Sequence, residues 1–226
     1  MITKYSEIQD LFVELDTFLS KKVTIYLIGG GALMKRKMKD KTKDIDIVVG
    51  SEAEFDRVHD ALRAAGFEPT LPEKEYDRMA LSQIMLKGDF RIDVFCKKVC
   101  GHFSLSENMK KRSTLDDIRT KNVELRVCSP EDIFLFKTMT ERIGDFDDCS
   151  SILKGKIDFE WPIVLNEAQV QSKIGPAVWI TWITNRLEEF EEMGLNIPIL
   201  GEMIKLSDEY IAEWERDLLS RNPGMI

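Results

Sequence analysis

Apolar positions along the first third of the chain recur with two different periods. Ile8, Leu11, Phe12, Leu15 and Phe18 share one side of a helical wheel, so the spacing predicts an amphipathic helix over 5–20. Residues 23–28 (VTIYLI) form a continuous β-branched and aromatic run that stops at Gly29-Gly30-Gly31. This reads as a buried strand ending in a tight turn, followed by a short helix over 32–38. A second strand is expected at 44–49 (DIDIVV), then a helix capped by Ser51, with Glu54 at the capping-box position and Gly66 as the stop. Strands near 79–86 and 90–95 flank Lys87-Gly88-Asp89, a hairpin signal. Residues 104–121 read as helix plus loop, and 123–127 (VELRV) as a last strand. Ser129-Pro130-Glu131-Asp132 is a strong helix start. Beyond it the pattern is helical, apart from loops near 155–165 and 195–201. The expected fold is α/β (α+β), with a small mixed sheet in residues 1–128 and a helical region in 129–226, and a domain boundary near 128. No internal repeat or low-complexity tract interrupts the chain.

Composition narrows the class. The chain has 226 residues, 43% apolar and 32% charged, as expected of a globular protein with a sizeable core. No apolar run approaches the roughly 18 residues that would span a bilayer, and MITKYSEIQD has no basic-then-apolar signal pattern; the expected location is cytoplasmic, away from membranes. Four cysteines without a C-x-x-C pair, and two histidines, predict reduced thiols rather than a zinc site. His59 and His102 are expected at the surface, and Trp179, Trp182 and Trp214 in the core or an interface. The net charge of −8 argues against a general nucleic-acid coat. Residues 35–43 (KRKMKDKTK) nevertheless carry six basic side chains against one acid, a local patch that reads either as a solvated loop or as the rim of a site.

The chemistry concentrates between the two first strands. Alternation along a strand places Asp44 and Asp46 on one side, about 7 Å apart, while Ile45 and Ile47 enter the core. Paired carboxylates repel unless a cation sits between them, and Mg²⁺ suits such oxygen ligands together with substrate phosphates. Asp93 stands inside the apolar run 90–95 (FRIDVF). On a neighbouring strand it completes a three-carboxylate set for two-metal phosphoryl transfer, or accepts the proton of an attacking hydroxyl. Gly29, Gly30 and Gly31 allow backbone to approach an anion closely, and Lys35, Arg36 and Lys43 are near enough in sequence to add charge.

The pattern Ile28-Gly29-Gly30, thirteen residues, then Asp44-Ile45-Asp46-Ile47 resembles the signature of the DNA polymerase beta-like nucleotidyltransferase superfamily. IGGGALMKRKMKDKTKDIDIVV and SPEDIFLFKTMTERIGDFDDCSSIL are similar to bacterial and archaeal nucleotidyltransferase-like proteins of unknown substrate, among them relatives of AbiEii-type toxins. The resemblance covers about residues 20–155. It implies a nucleotidyltransferase fold and transfer of a nucleoside monophosphate from an NTP, such as ATP, to an acceptor hydroxyl on RNA, a tRNA end, a protein or a small molecule. It implies Mg²⁺ or Mn²⁺ on Asp44, Asp46 and Asp93, and nucleotide contacts from Gly29, Gly30, Gly31, Lys43, Lys137 and Asp148. Gly31 departs from the pattern, because many transferring members carry Ser or Thr there. The rival reading is a weak or inactive binding protein with a protein partner, such as one half of a toxin–antitoxin pair. For Lys137 the alternative is a solvated lysine; for Arg142, Asp145 and Asp148 it is a surface ion-pair set.

Overall fold

The computed structural model describes residues 1–70, 83–99, 101, 103–138, 140, 142–155 and 158–221. Its elements begin with α1 (Tyr5–Asp16), β1 (Val23–Ile28), α2 (Gly29–Lys35), β2 (Ile45–Val49), α3 (Glu52–Ala64), β3 (Glu68–Thr70), β4 (Gln83–Lys87) and β5 (Phe90–Cys96). A small hairpin, β6 (Lys98–Val99) and β7 (Phe103–Ser104), leads to α4 (Glu107–Arg112), β8 (Thr114–Leu115) and β9 (Val123–Val127). The remaining described elements are helices: α5 (Pro130–Thr138), α6 (Ile143–Lys154), α7 (Trp161–Ile174), α8 (Trp179–Glu192) and α9 (Leu200–Arg221).

The apolar run of β1 is buried because it has neighbours on both edges. It pairs antiparallel with β2 and parallel with β9; β2 in turn pairs parallel with β5. Seven strands follow the order β3-β4-β5-β2-β1-β9-β8, with antiparallel pairs at both edges. One hydrophobic cluster runs from Ile8 and Phe12 of α1 through Ile25, Leu27, Ile45 and Ile47 of the sheet to Phe134, Trp179 and Phe190 of the later helices. Each such fully buried side chain contributes on the order of 1.5–3 kcal/mol. Edge-on ring contacts among Phe134, Phe159 and Trp161, and of Phe103 on β7 with both Phe136 and Trp179, link α5 to α7 and to α8.

Several boundaries differ from the sequence pattern, each for a local reason. α1 stops at Asp16, short of 20, because the Asp16 carboxylate accepts the backbone N–H groups of Lys121, Asn122 and Val123 at 3.0, 2.6 and 2.7 Å. Phe18 is left exposed. α2 starts within the glycines rather than after them, since Gly29 makes the turn alone with φ +60°. α7 begins at Trp161, inside the expected 155–165 loop, with Pro162 opening its first turn. Strands β3, β6, β7 and β8 were not expected. Ser51 caps α3 by accepting from the Glu54 N–H, as its position implies. Residues 79–82, Cys100 and His102 lie outside the described residues. His59 is half-buried and stacked on Phe55 rather than free at the surface. Trp179 is buried, while Trp182 and Trp214 are largely exposed. Cys96, Cys128 and Cys149 are free thiols. No described helix is long and apolar enough to cross a membrane.

Candidate active site

Strand register gathers the acids. Asp46 stands opposite Asp93 across the β2–β5 pair, and opposite Ile28 across the β1–β2 pair. Asp44 lies just before β2, two residues from Asp46 and so on the same side. One carboxylate oxygen each from Asp44, Asp46 and Asp93 falls within 4.8 Å of the others. Asp93 is buried and the other two are half-buried.

The three are not electrostatically alike. Arg91, also two residues along its strand, donates to both oxygens of Asp93 through Nε and Nη2, at 2.7 and 2.8 Å. Burial raises the Asp93 carboxyl above the usual range in spite of Arg91. Asp46 has no hydrogen-bond donor and no ion pair among the described residues. Burial first, and then the charges of Asp44 and Asp93, push it well above the usual carboxylate range. A half-buried carboxylate with no donor among the described residues, beside two others, fits a hard divalent cation.

Gly29 follows Ile28 directly, so it sits against Asp46. A Cβ there would come within 1.9 Å of Asp46 Oδ2. A Cβ on Gly30 would meet Thr42 Oγ1 at 2.3 Å. Gly31 differs: its Cβ would point at Ile8 and Leu27, into the core.

Gly29, Gly30, Asp44 and Asp46 line a cleft of about 470 Å³ whose opposite wall comes from α5, α6 and the segment between them. There Lys137 Nζ lies 2.7 Å from both Asp145 and Asp148. Burial would lower Lys137, yet these two acids hold it well above the ordinary lysine range. Lys39 reaches over from the 36–44 loop to Asp148 at 2.7 Å, and Arg142 lies 3.3 Å from Asp145. With Lys39 added from the loop, three cations surround two acids, so this cluster is net positive and shares the cleft with Asp44 and Asp46. Lys41 and Lys43 are exposed at the rim, and Met1 also lines the cleft.

Among the residues singled out in the sequence, the cleft brings together Gly29, Gly30, Lys43, Asp44, Asp46, Lys137 and Asp148, with Asp93 behind Asp46. Gly31 faces the core. Lys137 is not a solvated lysine, and Asp145 and Asp148 are buried rather than a surface set. Lys35 and Arg36 turn away from the cleft. Lys35 pairs with Asp116 and Asp117, and Arg36 donates to the Cys128 carbonyl. Sequence reading missed Arg91 and Thr42. Arg91-Ile92-Asp93 has the same alternation as Asp44-Ile45-Asp46 and could have been found by it; Thr42 gave no signal within its run of lysines.

A mixed sheet with these acids at a glycine turn, followed by helices, defines the nucleotidyltransferase class, within the DNA polymerase beta-like superfamily. The chain belongs to the family described as "Nucleotidyltransferase of unknown function (DUF6036)", which matches residues 6–173. Among curated proteins, none matches by sequence. Three solved structures show a distant likeness. ANT(2")-Ia in complex with adenylyl-2"-tobramycin has a TM-score of 0.48 and 10% identity over 74% of this chain and 98% of its own. The solution structure of the antibiotic-resistance factor ANT(2'')-Ia gives 0.47 and 11%, over 84% and 97%. An antigenic nucleotidyltransferase-like protein from Paracoccidioides brasiliensis gives 0.45 and 14%, over 89% and 92%. Family membership, not these likenesses, identifies the chain.

Proposed function

We propose that this protein transfers a nucleoside monophosphate from an NTP to an acceptor hydroxyl, releasing pyrophosphate. The observation that carries the reading is a cleft that brings together two charge clusters: Asp44, Asp46 and Asp93, with no donor to Asp46 among the described residues, and a second cluster in which Lys39, Lys137 and Arg142 outnumber Asp145 and Asp148. That is the charge pattern a metal–triphosphate would complete. Asp44 and Asp46 hold Mg²⁺ or Mn²⁺, with Asp93 completing the set. When bound, the cation supplies positive charge to the phosphates and to the attacking oxygen. Asp93, oriented by Arg91, takes the proton of the acceptor hydroxyl. Gly29 and Gly30 admit the phosphates close to backbone, and Gly31 contributes through its backbone alone. Lys137, Lys39 and Lys43 bind the triphosphate tail, with Asp145 and Asp148 holding Lys137 charged and in place until it arrives. Residues 1–128 then act as the catalytic unit, and residues 129–226 supply the closing wall.

The exposed Lys41 at the rim, which the nucleotide does not use, favours a polyanionic acceptor such as RNA or a tRNA end. The rival reading, an inactive binding protein with a protein partner, drew on the lack of a hydroxyl at position 31. That position faces the core, so a hydroxyl there would be lost to the cleft anyway. Mg²⁺ or Mn²⁺ with an NTP is expected to raise the Tm, and Asp44→Asn with Asp46→Asn to remove the effect. A metal and nucleotide response unchanged in the double variant would overturn the assignment.

A further inference from the structure

Asp44 lies outside the hydrogen-bonded register that fixes its partners. The β1–β2 register extends from Val49 only as far as Asp46, and the β2–β5 register begins at Ile45. Asp46 and Asp93 are held by the ladder; Asp44 needs some other restraint. The loop before it, 36–43, is rich in lysine and includes a left-handed residue at Lys37 (φ 59°), an unpromising frame for a metal carboxylate.

One residue of that loop is held as firmly as the core. Thr42 is 4% exposed. Its backbone forms an isolated two-bond bridge with Ile2, N–H to carbonyl in both directions at 3.0 Å. Ile2 is itself 1% exposed within the hydrophobic cluster. The start of the chain therefore straps the loop down at Thr42. From this anchored position the Thr42 hydroxyl donates to the Asp44 carbonyl at 3.1 Å and lies 3.4 Å from Asp44 Oδ1. The same Oγ1 fills the space above Gly30, 2.3 Å from where a Cβ on that glycine would stand, with the Thr42 Cβ at 3.0 Å.

We propose that Thr42 is a positioning residue for Asp44, and that Gly30 is small because the Thr42 side chain occupies its place. The hydroxyl has a single proton. Given to the Asp44 carbonyl, it fixes the backbone at 42–44 in the orientation that aims the Asp44 carboxylate at Asp46. The glycine turn and the first acid are thus one packed unit built across fourteen residues of sequence, and neither is free to change without the other.

The proposal rests on the reading of Asp44 as a cation ligand, and Mn²⁺ binding without nucleotide separates the two. Free Mn²⁺ is followed by electron paramagnetic resonance, with the Tm of each variant measured alongside. Thr42→Val keeps the branched shape and loses the hydroxyl; its Mn²⁺ affinity is expected to fall about tenfold, as for other groups that orient a metal ligand. Thr42→Ser is expected to restore most of the affinity. Gly30→Ala is expected to lose affinity alone, and to lose less when Thr42→Ala makes room, so that the pair is non-additive. If Thr42→Val fails to fold, this Gly30–Thr42 cycle decides the matter, and strict additivity overturns the proposal. Wild-type affinity in Thr42→Val, with affinity lost in Asp44→Asn, overturns the proposal and leaves the metal reading standing. Wild-type affinity in Asp44→Asn overturns both.

Discussion

At Gly29 the chain takes a left-handed turn, and the missing side chain is what lets Asp46 lie beside it. Gly29→Ala faces both difficulties together. The turn alone costs a non-glycine residue roughly 1–2 kcal/mol, and the added Cβ must displace the Asp46 carboxylate. Isothermal titration is expected to show Mn²⁺ and NTP affinity reduced more than tenfold, with urea unfolding showing a stability loss of at least about 1–2 kcal/mol. An Asp46→Asn variant is expected to behave in the opposite sense without metal. Removing one of three neighbouring charges raises the metal-free Tm by roughly 2–4 °C per kcal/mol relieved, while the Tm increase given by Mg²⁺ disappears. A lower metal-free Tm in that variant would mean that Asp46 has a donor. These residues were legible because strand alternation is a simple rule: D-I-D and F-R-I-D each put charge on one side of a strand. Arg91 obeys the same rule, but its grip on Asp93 shows only once both side chains are placed. Thr42 could not be read, since its importance comes from Ile2 and Gly30, which only the folded chain brings to it.

Among elements, the α5–α6 corner holds a buried ion-pair cluster. Lys137 is 9% exposed and Asp145 8% exposed at their side chains. Removing one partner of such a buried pair costs about 3–5 kcal/mol; Lys39 and Arg142 remain near the acids, so Lys137→Met is expected at the lower end, about 3 kcal/mol by urea unfolding. Burial would raise Asp145, but Lys137 and Arg142 outweigh it and hold the carboxyl below the usual range. The stability it contributes is therefore complete above the pKa of an unfolded aspartate, about 3.9, and is lost as the pH falls through the lower folded value. The stability gap between wild type and Asp145→Asn is expected to be constant from about pH 5 to 8 and to shrink below about pH 4; a gap that widens on acidification would contradict the pairing. The larger elements were visible in the sequence because period and caps agree: β1, β2, β5, α3 and the start of α5 all stand where the pattern puts them. The two- and three-residue strands β3, β6, β7 and β8 were not, because so short a segment becomes a strand only through the partner it meets. α1 ended early for the same kind of reason, with Asp16 serving amides more than a hundred residues away.

For the molecule as a whole, an acidic chain of net charge −8 presents lysines at the rim of one cleft. If the acceptor is RNA, its binding is salt-sensitive, and Lys41→Ser flattens the slope of log affinity against log salt by about 0.7, the share of one single-strand phosphate no longer neutralised. An unchanged slope would move the acceptor to a protein or a small molecule. The central claim, nucleotidyl transfer at the three acids, is tested most directly by the position of the label. The purified protein is incubated with Mg²⁺ and each NTP labelled at either the α- or the γ-phosphate, with total RNA and cell extract as acceptors. The account predicts that α-label passes to an acceptor, γ-label leaves as pyrophosphate, and both stop in Asp44→Asn with Asp46→Asn. Transfer or release of the γ-phosphate alone, or α-label transfer undiminished in the double variant, would contradict it.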